Sequence, residues 1–470
     1  MSNNLKPLRS NRPPQKGDKR PSRPNMARPS PPTDTSPRVK PTGGLDSGWN
    51  PQPLRNIEDT GLSKLVLSDM TLKLLYFRGD MLGHAIATEL KLPFNGIVGQ
   101  VLEFGKREKL IEILGAGGLG ESSYRYEITG KGIERALEAI ERSQYAGAAP
   151  VPLQVYIDAI NAQKRGEQTV TESDMRQVLE NLIVDKDMLD KIGPAANSGS
   201  SIFLYGPPGN GKTTLSEAIG RVILGEDMWI PYAIDVDGQI IQIYDYVNHK
   251  LSDEQGAVKY GTGEVGDPRW VRIKRPIIIV GGELEMASLD LVFNPISKFY
   301  EAPYQVKANG GMFLIDDFGR QQVSPVQLLN RWIVPLEKKY DFLTMSNGRK
   351  IQMPFNVMII FSTNLDPADL VDDAFLRRIK YKIEVGDPTP QQFHELFELM
   401  CKLKKIPFDE KGYNYLIKEW YIKFNRNPRF VHPRDLLNQM SDIARYLGVE
   451  NTLANKELID RAADSYFVEL

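Results

Sequence analysis

The chain has 470 residues, of which 41% are hydrophobic and 25% charged, and its formal net charge is −1. This length is too great for one hydrophobic core, so we expect two or three domains. The single cysteine, Cys401, excludes an internal disulfide and any cysteine-based zinc site, and the four histidines lack metal-ligand spacing. The longest apolar runs fall far short of the roughly 20 residues that a membrane helix needs, and no secretory signal is recognisable. We therefore expect a cytoplasmic protein without membrane insertion.

The first 55 residues are basic and rich in proline. Residues 1–45 hold ten Lys/Arg against two acids, and the first 53 residues contain 12 of the 32 prolines. Such a composition cannot bury enough apolar surface to offset the entropy of ordering, so we expect residues 1–55 to be a disordered tail. A basic tail can contact nucleic acid, an anionic lipid or an acidic partner, and it can equally be a solvated tether.

Residues 56–145 show the element order of a winged helix. Three helical patterns are followed by two strand patterns around AGGLGE and by a last helix, GIERALEAIERS. This region carries 11 basic and 13 acidic groups, and its presumed recognition segment offers Asn95 and Gln100 but no arginine. A surface that binds phosphates is usually basic, so we place a protein-docking or assembly role ahead of DNA binding for this winged-helix-like adaptor domain.

The remainder of the chain divides into a linker, an α/β domain and a helical domain. Residues 146–180 read as a Pro/Ala-rich linker with a helix. Across 181–388, apolar strand patterns alternate with helices, which predicts a mostly parallel sheet with covered faces, and Asp237-Gly238 predicts a hairpin turn. From Thr389, which has the features of a helix N-cap, residues 389–470 read as helical.

The stretch GPPGNGKT, residues 206–213, follows an apolar strand and opens a helix, which is the context that a phosphate-binding P-loop requires. Its glycines let backbone N–H groups close around phosphate oxygens, Lys212 adds a charge at the β- and γ-phosphates, and the Thr213 hydroxyl can ligate Mg²⁺. The predicted nucleotide-binding residues are Gly206, Pro207, Pro208, Gly209, Asn210, Gly211, Lys212, Thr213 and Thr214.

Polar side chains end two further apolar strands. In MFLIDD, Asp316 is predicted to contact the metal together with Thr213, and Asp317 to position or polarise the attacking water. In FSTN, Asn364 can hydrogen-bond the γ-phosphate or the water, although a strand-ending asparagine taken alone is typical of a turn. The two strand ends therefore predict Asp316 as a metal ligand and Asp317 and Asn364 as catalytic residues.

Three arginines complete the set of candidate residues. Arg377 and Arg378 directly precede a strand, where they are either a surface pair or an arginine finger supplied across a subunit interface. Arg434, beside Pro433 at the start of a helical pattern, can reach the γ-phosphate and couple the two domains.

These elements, in this order, resemble an AAA+ ATPase: Walker A (GPPGNGKT), Walker B (FLIDD), sensor 1 (Asn364), arginine finger (Arg377 or Arg378) and sensor 2 (Arg434). The resemblance covers about 180–470. The stretch NGRKIQMPFNVMIIFSTN is similar to the strand hairpin of the MoxR-like, helix-2-insert side of that family. Residues 281–321 resemble bacterial AAA+ ATPases with an assigned chaperone activity and an association with Flp pilus assembly.

The resemblance implies a P-loop NTPase fold with a C-terminal helical lid and a ring of identical subunits, usually a hexamer, with ATP and Mg²⁺ at each interface. Of the two finger candidates we prefer Arg378, since it directly precedes the strand. Asp317 departs from the usual Asp-Glu pair of Walker B, so either the water sits closer or hydrolysis is slow. Phe299 and Tyr300 either grip a substrate or sense nucleotide, or they pack beneath the insert.

The sequence thus predicts an ATP-hydrolysing AAA+ protein that remodels or chaperones a macromolecule, with a protein substrate favoured over nucleic acid and with pilus or envelope-complex assembly as one setting. Two alternatives stay open. One is an ATP-dependent DNA-binding or remodelling protein that uses the winged helix. The other is a nucleotide-switched assembly scaffold with little turnover.

Overall fold

The computed structural model describes residues 49–164, 169–180, 182–224, 227–252, 266–370 and 376–467. Residues 1–48 of the predicted tail lie outside this part of the chain. Residues 49–55, which we also assigned to the tail, instead pack against the fold: the Trp49 ring lies 4.8 Å from the Trp270 ring, and Leu54 is buried. Apolar side chains at these two positions explain the difference. Within the described ranges, no helix is both long and apolar enough to cross a membrane.

The N-terminal part of the described chain contains the predicted helices and hairpin in the predicted order. Its elements are α1 (Lys64–Arg78), β1 (Met81–Leu82), α2 (Gly83–Leu90), α3 (Gly99–Arg107), β2 (Ile111–Ala116), β3 (Tyr124–Ile128) and α4 (Gly130–Arg142). The strands form an antiparallel sheet in the order β1-β3-β2, in which the two-residue β1 was not predicted. Ser63 and Thr129 cap α1 and α4 through their hydroxyls. The winged-helix assignment itself stays a prediction.

The described residues of the predicted linker, 146–164 and 169–180, are part of the folded core. They supply β4 (Val151–Pro152), α5 (Leu153–Ala162) and α6 (Glu172–Val178), so they hold a strand and two helices where we expected one helix. Tyr156 and Ile160 of α5 are fully buried, because apolar residues recur along one face of this helix.

Strands dominate the next two hundred residues. The elements are α7 (Lys186–Ser198), β5 (Ile202–Tyr205), α8 (Lys212–Ile223), β6 (Asp227–Pro231), β7 (Ala233–Val236), β8 (Gln239–Gln242), β9 (Trp270–Lys274), β10 (Ile277–Val280), β11 (Val292–Asn294), β12 (Phe299–Glu301), α9 (Tyr304–Lys307), β13 (Met312–Ile315), α10 (Pro325–Lys338), β14 (Tyr340–Thr344), β15 (Lys350–Pro354), β16 (Met358–Thr363), α11 (Pro367–Leu370) and β17 (Tyr381–Glu384).

The central sheet has five strands in the order β10-β13-β16-β5-β17, and every pairing is parallel, as predicted. Helices cover both faces, and the inner strands β13 and β16 are buried along their whole length. Because the strands are parallel, their carboxyl ends meet at one edge. The residues that follow Tyr205, Ile315 and Thr363, the last residues of β5, β13 and β16, therefore lie close together.

Most of a second, mixed sheet comes from residues between α8 and β13. It has the order β11-β12-β8-β7-β4, in which β4 comes from the earlier residues 151–152, and β6 pairs with β9 beside it. The predicted hairpin turn is confirmed, since Asp237 and Gly238 have φ values of 52° and 81°. Tyr300 is buried and its hydroxyl bonds Ser346 at 2.6 Å, while the half-buried Phe299 ring lies 5.5 Å from Tyr145. Tyr300 therefore packs within the second sheet, whereas Phe299 packs against the N-terminal part, so both rings have a packing role.

The C-terminal part is helical, as predicted. It contains α12 (Pro390–Lys404), α13 (Glu410–Leu416), α14 (His432–Leu447) and α15 (Lys456–Tyr466). Thr389 accepts from the Gln392 N–H while the Gln392 side chain accepts from the Thr389 N–H, which confirms the predicted capping box. These helices have their own core, in which Cys401 is buried, and burial raises the pKa of its thiol to about 12.

One buried arginine joins the β6–β9 pair to the central sheet. Arg275 lies between β9 and β10, and its guanidinium donates to Gly310 O (2.7 Å) and Gln163 O (2.9 Å). Gln163 in turn exchanges hydrogen bonds with the main chain of Trp229, at 2.7 and 2.9 Å. Gly310 stands two residues before β13, so this network fixes the start of the strand that leads to Asp316.

Two glycines in α4 give a matched test of packing in the N-terminal part. A Cβ at Gly132 would lie 2.0 Å from Leu110 O, an atom that accepts from the Thr129 N–H, whereas a Cβ at Gly130 would meet no atom within 4 Å. We expect Gly132→Ala to reduce the local opening free energy of α4 by about 1–3 kcal/mol, and Gly130→Ala to leave it unchanged or raise it by about 0.5 kcal/mol. Native-state hydrogen exchange of the α4 amides measures both. Equal exchange in the two variants would contradict this packing.

Candidate functional site

The central sheet brings the predicted residues together at the carboxyl ends of its strands. Lys212 follows β5, Asn364 follows β16, and Asp316 and Asp317 follow β13. Since β16 lies between the other two strands, Asn364 stands between the lysine and the carboxylates. Residues separated by up to about 150 positions in sequence thus form one cluster.

The P-loop has the backbone that its glycines permit. Gly206, Gly209 and Gly211 have φ values of 136°, 82° and 77°, in the region that favours glycine. Space is restricted as well: a Cβ at Gly206 would lie 2.4 Å from Val385 O, and one at Gly209 would lie 2.8 Å from a Val431 methyl. A side chain at either position would force the loop away from its neighbours.

Lys212 uses all three of its ammonium donors within the site. It donates to Gly206 O and Pro207 O, both at 2.9 Å, and to Asn364 Oδ1 at 2.6 Å. Burial lowers the pKa of Lys212, while the charges of Asp316 and Asp317 oppose this shift. A phosphate that reaches the lysine therefore replaces one or more of these acceptors.

Thr213 and Asp316, the two predicted metal ligands, are in direct contact. Thr213 Oγ1 donates to Asp316 Oδ2 at 2.7 Å, and Asp316 Oδ1 accepts from the Asp317 N–H at 3.1 Å. Mg²⁺ prefers oxygen ligands and keeps several waters or phosphate oxygens, so this pair fits a metal carried in with a nucleotide. In the described ranges, no three His, Cys, Asp or Glu side chains cluster into an all-protein metal site.

Asp317 has an unusual backbone conformation. Its φ is 49°, a left-handed value that is rare for residues other than glycine and in which aspartate and asparagine are enriched. Its exposed carboxylate accepts from Asn364 Nδ2 at 2.8 Å through Oδ1. This backbone gives a physical reason for aspartate, rather than the longer glutamate, at this position.

Asn364 links the two sides of the cluster through one side-chain amide. Its oxygen accepts from Lys212 and its nitrogen donates to Asp317. The strand-ending asparagine is therefore not simply a turn former. Sequence pattern alone left that interpretation open, because the partners come from two other strands.

Arg377 and Arg378 lie near the amino-terminal ends of the strands, on the side of the sheet away from the P-loop. They precede β17, which runs parallel to β5 with Tyr381 opposite Ile202, so the strand length of about 13 Å separates them from the P-loop edge. Arg378 is half-buried and donates to Glu337 Oε1 at 2.7 Å, whereas Arg377 is exposed. Residues 371–375, shortly before them, lie outside the described residues.

The helical region approaches the P-loop through Arg429 rather than through the predicted Arg434. Arg434 pairs with Asp435 at 2.8 Å. Arg429 Nη1 donates to Pro208 O at 2.7 Å, and the Val431 N–H donates to Gly209 O at 2.9 Å. Sequence analysis missed Arg429 because it lies in a loop before α14, where no periodic pattern singles it out.

Comparisons with known proteins give one family match and weak structural similarities. A family model described as a domain of unknown function (DUF8689) matches residues 389–465, and no curated protein matches the chain. The structure is similar to a RuvB mutant of Thermotoga maritima, with a TM-score of 0.34 and 12% identity, over 64% of this chain and 73% of that chain.

It is also similar to NtrX from Brucella abortus. With the ADP complex the TM-score is 0.38 and the identity 14%, over 71% of this chain and 66% of that one. With the ATP complex the values are 0.37 and 15%, over 72% and 70%. RuvB and NtrX are AAA+ P-loop ATPases. Similarities this low carry no argument about function, which is inferred from the geometry of the site.

The left-handed backbone at Asp317 leads to a stability prediction. Asparagine tolerates this conformation about as well as aspartate, whereas glutamate does not share their preference. We expect Asp317→Asn to keep the midpoint of thermal unfolding, and Asp317→Glu to lower it by about 2 °C, which corresponds to about 1 kcal/mol. Circular dichroism melts of the three proteins measure this. A glutamate variant as stable as the wild type would show that the backbone does not select aspartate.

Proposed function

We propose that the chain is an AAA+ ATPase, which binds ATP with Mg²⁺ and hydrolyses it to ADP and phosphate. The observation that carries the proposal is the 2.7 Å contact between Thr213 and Asp316, which joins the helix after the P-loop to the end of β13. A Gly-rich loop alone binds phosphate. The same loop beside paired carboxylates has, in addition, the groups that phosphoryl transfer requires.

Binding would use the loop between β5 and α8. The N–H groups of residues 209–213 and the N-terminus of α8 present positive partial charge to the phosphates, and Lys212 adds a full charge. The exposed Thr214 and Pro208 lie at the rim of this loop. Thr213 and Asp316 would hold Mg²⁺, which neutralises charge on the β- and γ-phosphates.

Hydrolysis would depend on Asp317 and Asn364. The carboxylate of Asp317 accepts a hydrogen bond from water and orients its oxygen toward the γ-phosphorus. As the water oxygen bonds to phosphorus, the bond from phosphorus to the β–γ bridging oxygen breaks, and ADP and phosphate leave. Asn364 holds one carboxylate oxygen of Asp317, so the other is directed to the water.

The arginines support a site shared between subunits. Arg377 and Arg378 lie at the edge of the sheet opposite the P-loop, so neither can serve the site of its own subunit. An arginine there contributes only if a second copy brings its P-loop to that edge. This supports a homo-oligomer with ATP at each interface, for which we propose a hexameric ring.

The work coupled to hydrolysis would be remodelling or chaperoning of a protein partner. The N-terminal part, which we propose is a winged-helix-like adaptor, carries more acidic than basic groups, and this favours a protein over DNA. The MoxR-like placement and the setting of pilus or envelope-complex assembly rest on sequence resemblance, and they stay predictions. A nucleotide-switched scaffold is the alternative that turnover measurements separate.

The catalytic assignment predicts distinct defects for two variants. Lys212→Met removes the charge at the phosphates and should abolish binding of a fluorescent ATP analogue. Asp317→Asn should still bind ATP but hydrolyse it about 10²-fold or more slowly, because it cannot act on the water. Steady-state phosphate release and nucleotide titration measure both. If the wild type turns over no faster than Asp317→Asn, the protein is a nucleotide-gated scaffold.

The shared site predicts complementation between subunits. Arg377→Ala and Arg378→Ala should each keep nucleotide binding, and the variant that lacks the finger should lose about 10³-fold in turnover. Mixing it with Lys212→Met subunits, which retain the arginine, should restore activity in mixed rings. Oligomer mass recorded in the same samples controls for loss of assembly. Two arginine variants with wild-type turnover would contradict a finger at this position.

A further inference from the structure

The β2–β3 hairpin of the N-terminal part ends in a tip, residues 117–120, that presents an apolar side chain to solvent. Leu119 in this tip is fully exposed, and Leu114 on the adjoining strand is exposed as well. Residues 113–120 read ILGAGGLG, so no charged side chain lies along this end of the hairpin. A single exposed leucine is ordinary on a protein surface, so the surroundings of Leu119 decide what it does.

Hydrogen bonds hold the tip in one shape. The Gly117 N–H donates to Ser123 O at 2.8 Å, and the Ser123 N–H donates to Gly120 O at 3.0 Å. The Ser123 hydroxyl also donates to Leu119 O at 3.2 Å. The main chain of Leu119 is therefore fixed while its side chain projects into solvent. A projection that is already ordered loses little conformational entropy when a partner binds it.

A cavity of about 500 Å³ adjoins the tip. Its apolar lining comes from Phe94, in the turn before α3, and from Phe104, within α3, and both rings are half-buried. Glu121 also lines the cavity and stands two positions after Leu119, so the leucine and the cavity are neighbours on one surface. Leu119 does not fill the cavity of its own chain, because its side chain is fully exposed. The volume is sufficient for an apolar side chain from another molecule.

The charged side chains that line the cavity are equal in number and opposite in sign. Lys64 and Arg107 are basic, Glu103 and Glu121 are acidic, and all four are exposed. Such a lining has no net charge with which to attract a nucleic acid or a strongly charged peptide. A surface that meets its own copy about a two-fold axis can place each basic group against an acidic group of the other copy. Charge complementarity therefore favours a second copy of this chain.

We propose that the N-terminal parts of two copies pair about a two-fold axis, with Leu119 of each copy inserted between Phe94 and Phe104 of the other. Because the leucine adjoins the cavity, one contact closes both cavities, and each copy gives one leucine and receives one. The pairing uses no group of the nucleotide site, so it goes beyond the proposed function and is tested separately from it.

Disulfide trapping between two differently tagged full-length chains tests the contact. Both carry Cys401→Ser, which removes the single native cysteine. One carries Leu119→Cys, and the other carries Gln100→Cys at an exposed position that lines the cavity. The matched control uses Leu137→Cys in place of Leu119→Cys, since Leu137 is an exposed leucine of α4 outside the cavity lining. In mixtures without nucleotide, we expect about tenfold more mixed dimer than in the control, because cysteines whose Cα atoms are more than about 7 Å apart cannot be bridged.

Substitution of the projecting leucine tests the strength of the same contact. In sedimentation equilibrium without nucleotide, the wild type and the control Leu137→Asp should associate to pairs or to multiples of pairs. Leu119→Asp should weaken this pairing by about 10²-fold or more, since two leucine side chains leave the contact and two carboxylates enter an apolar cavity. Phosphate release from ATP, measured on the same proteins, reports on the proposed ATPase independently.

The outcomes separate the pairing from the proposed function. If Leu119→Cys gives no more mixed dimer than Leu137→Cys, the pairing is wrong, whatever the ATPase activity. The same conclusion follows if Leu119→Asp associates as the wild type does, or if the wild type stays monomeric at micromolar concentration without nucleotide. If the trapped dimer forms but the wild type hydrolyses no ATP, the proposed function fails and the pairing stands.

Discussion

The amide of Asn364 is the interaction on which the site depends, because it separates a lysine from a carboxylate that would otherwise pair. Lys212 and Asp317 each bond one end of this amide. A direct ammonium–carboxylate bond would be about twice as strong as a neutral hydrogen bond and would compete with any phosphate for the lysine. The neutral spacer keeps both charged groups in place and lets Lys212 exchange partners. The order of the strands supplies it, since β16 lies between β5 and β13.

Much of this site could be predicted from sequence because its signals are local. A strand, a Gly-rich turn and a helix opening on Lys212 occupy about twenty consecutive residues, and the capping box at Thr389 occupies four. The ends of β13 and β16 could also be predicted from the sequence, since the apolar runs stop at Asp316 and Asn364. Parallel pairing then brings such ends to one edge, so their proximity follows from fold class.

What sequence did not predict depends on partners far apart in the chain. The assignment of residues 146–180 as a linker was wrong because β4 pairs with β7, more than 80 residues away. Arg429 has no neighbouring pattern that marks it, and only the folded chain brings it to Pro208. The left-handed φ of Asp317 was also not foreseen, since a pair of aspartates is compatible with many turns. Tertiary contacts set all three features.

Apolar packing holds the α/β and helical parts together internally, and hydrogen bonds connect the two parts. The α/β and helical parts each have their own apolar core, and they meet at the P-loop through hydrogen bonds from residues 429–431. Replacing one such hydrogen bond by a bond to water costs only about 1 kcal/mol of stability. A junction made of these bonds can therefore rearrange without exposing an apolar core. The parts are therefore built to stay intact while the junction between them changes.

The Arg275 network gives the molecule a mechanical property. Its guanidinium holds Gly310, and from there the chain runs through the fully buried β13 to Asp316. An extended strand of four residues is about 13 Å long and has almost no slack. A load applied to the β6–β9 pair is thus delivered through this strand to the carboxylate that contacts Thr213. The same stiffness acts in reverse, so a shift at Asp316 moves the β6–β9 pair.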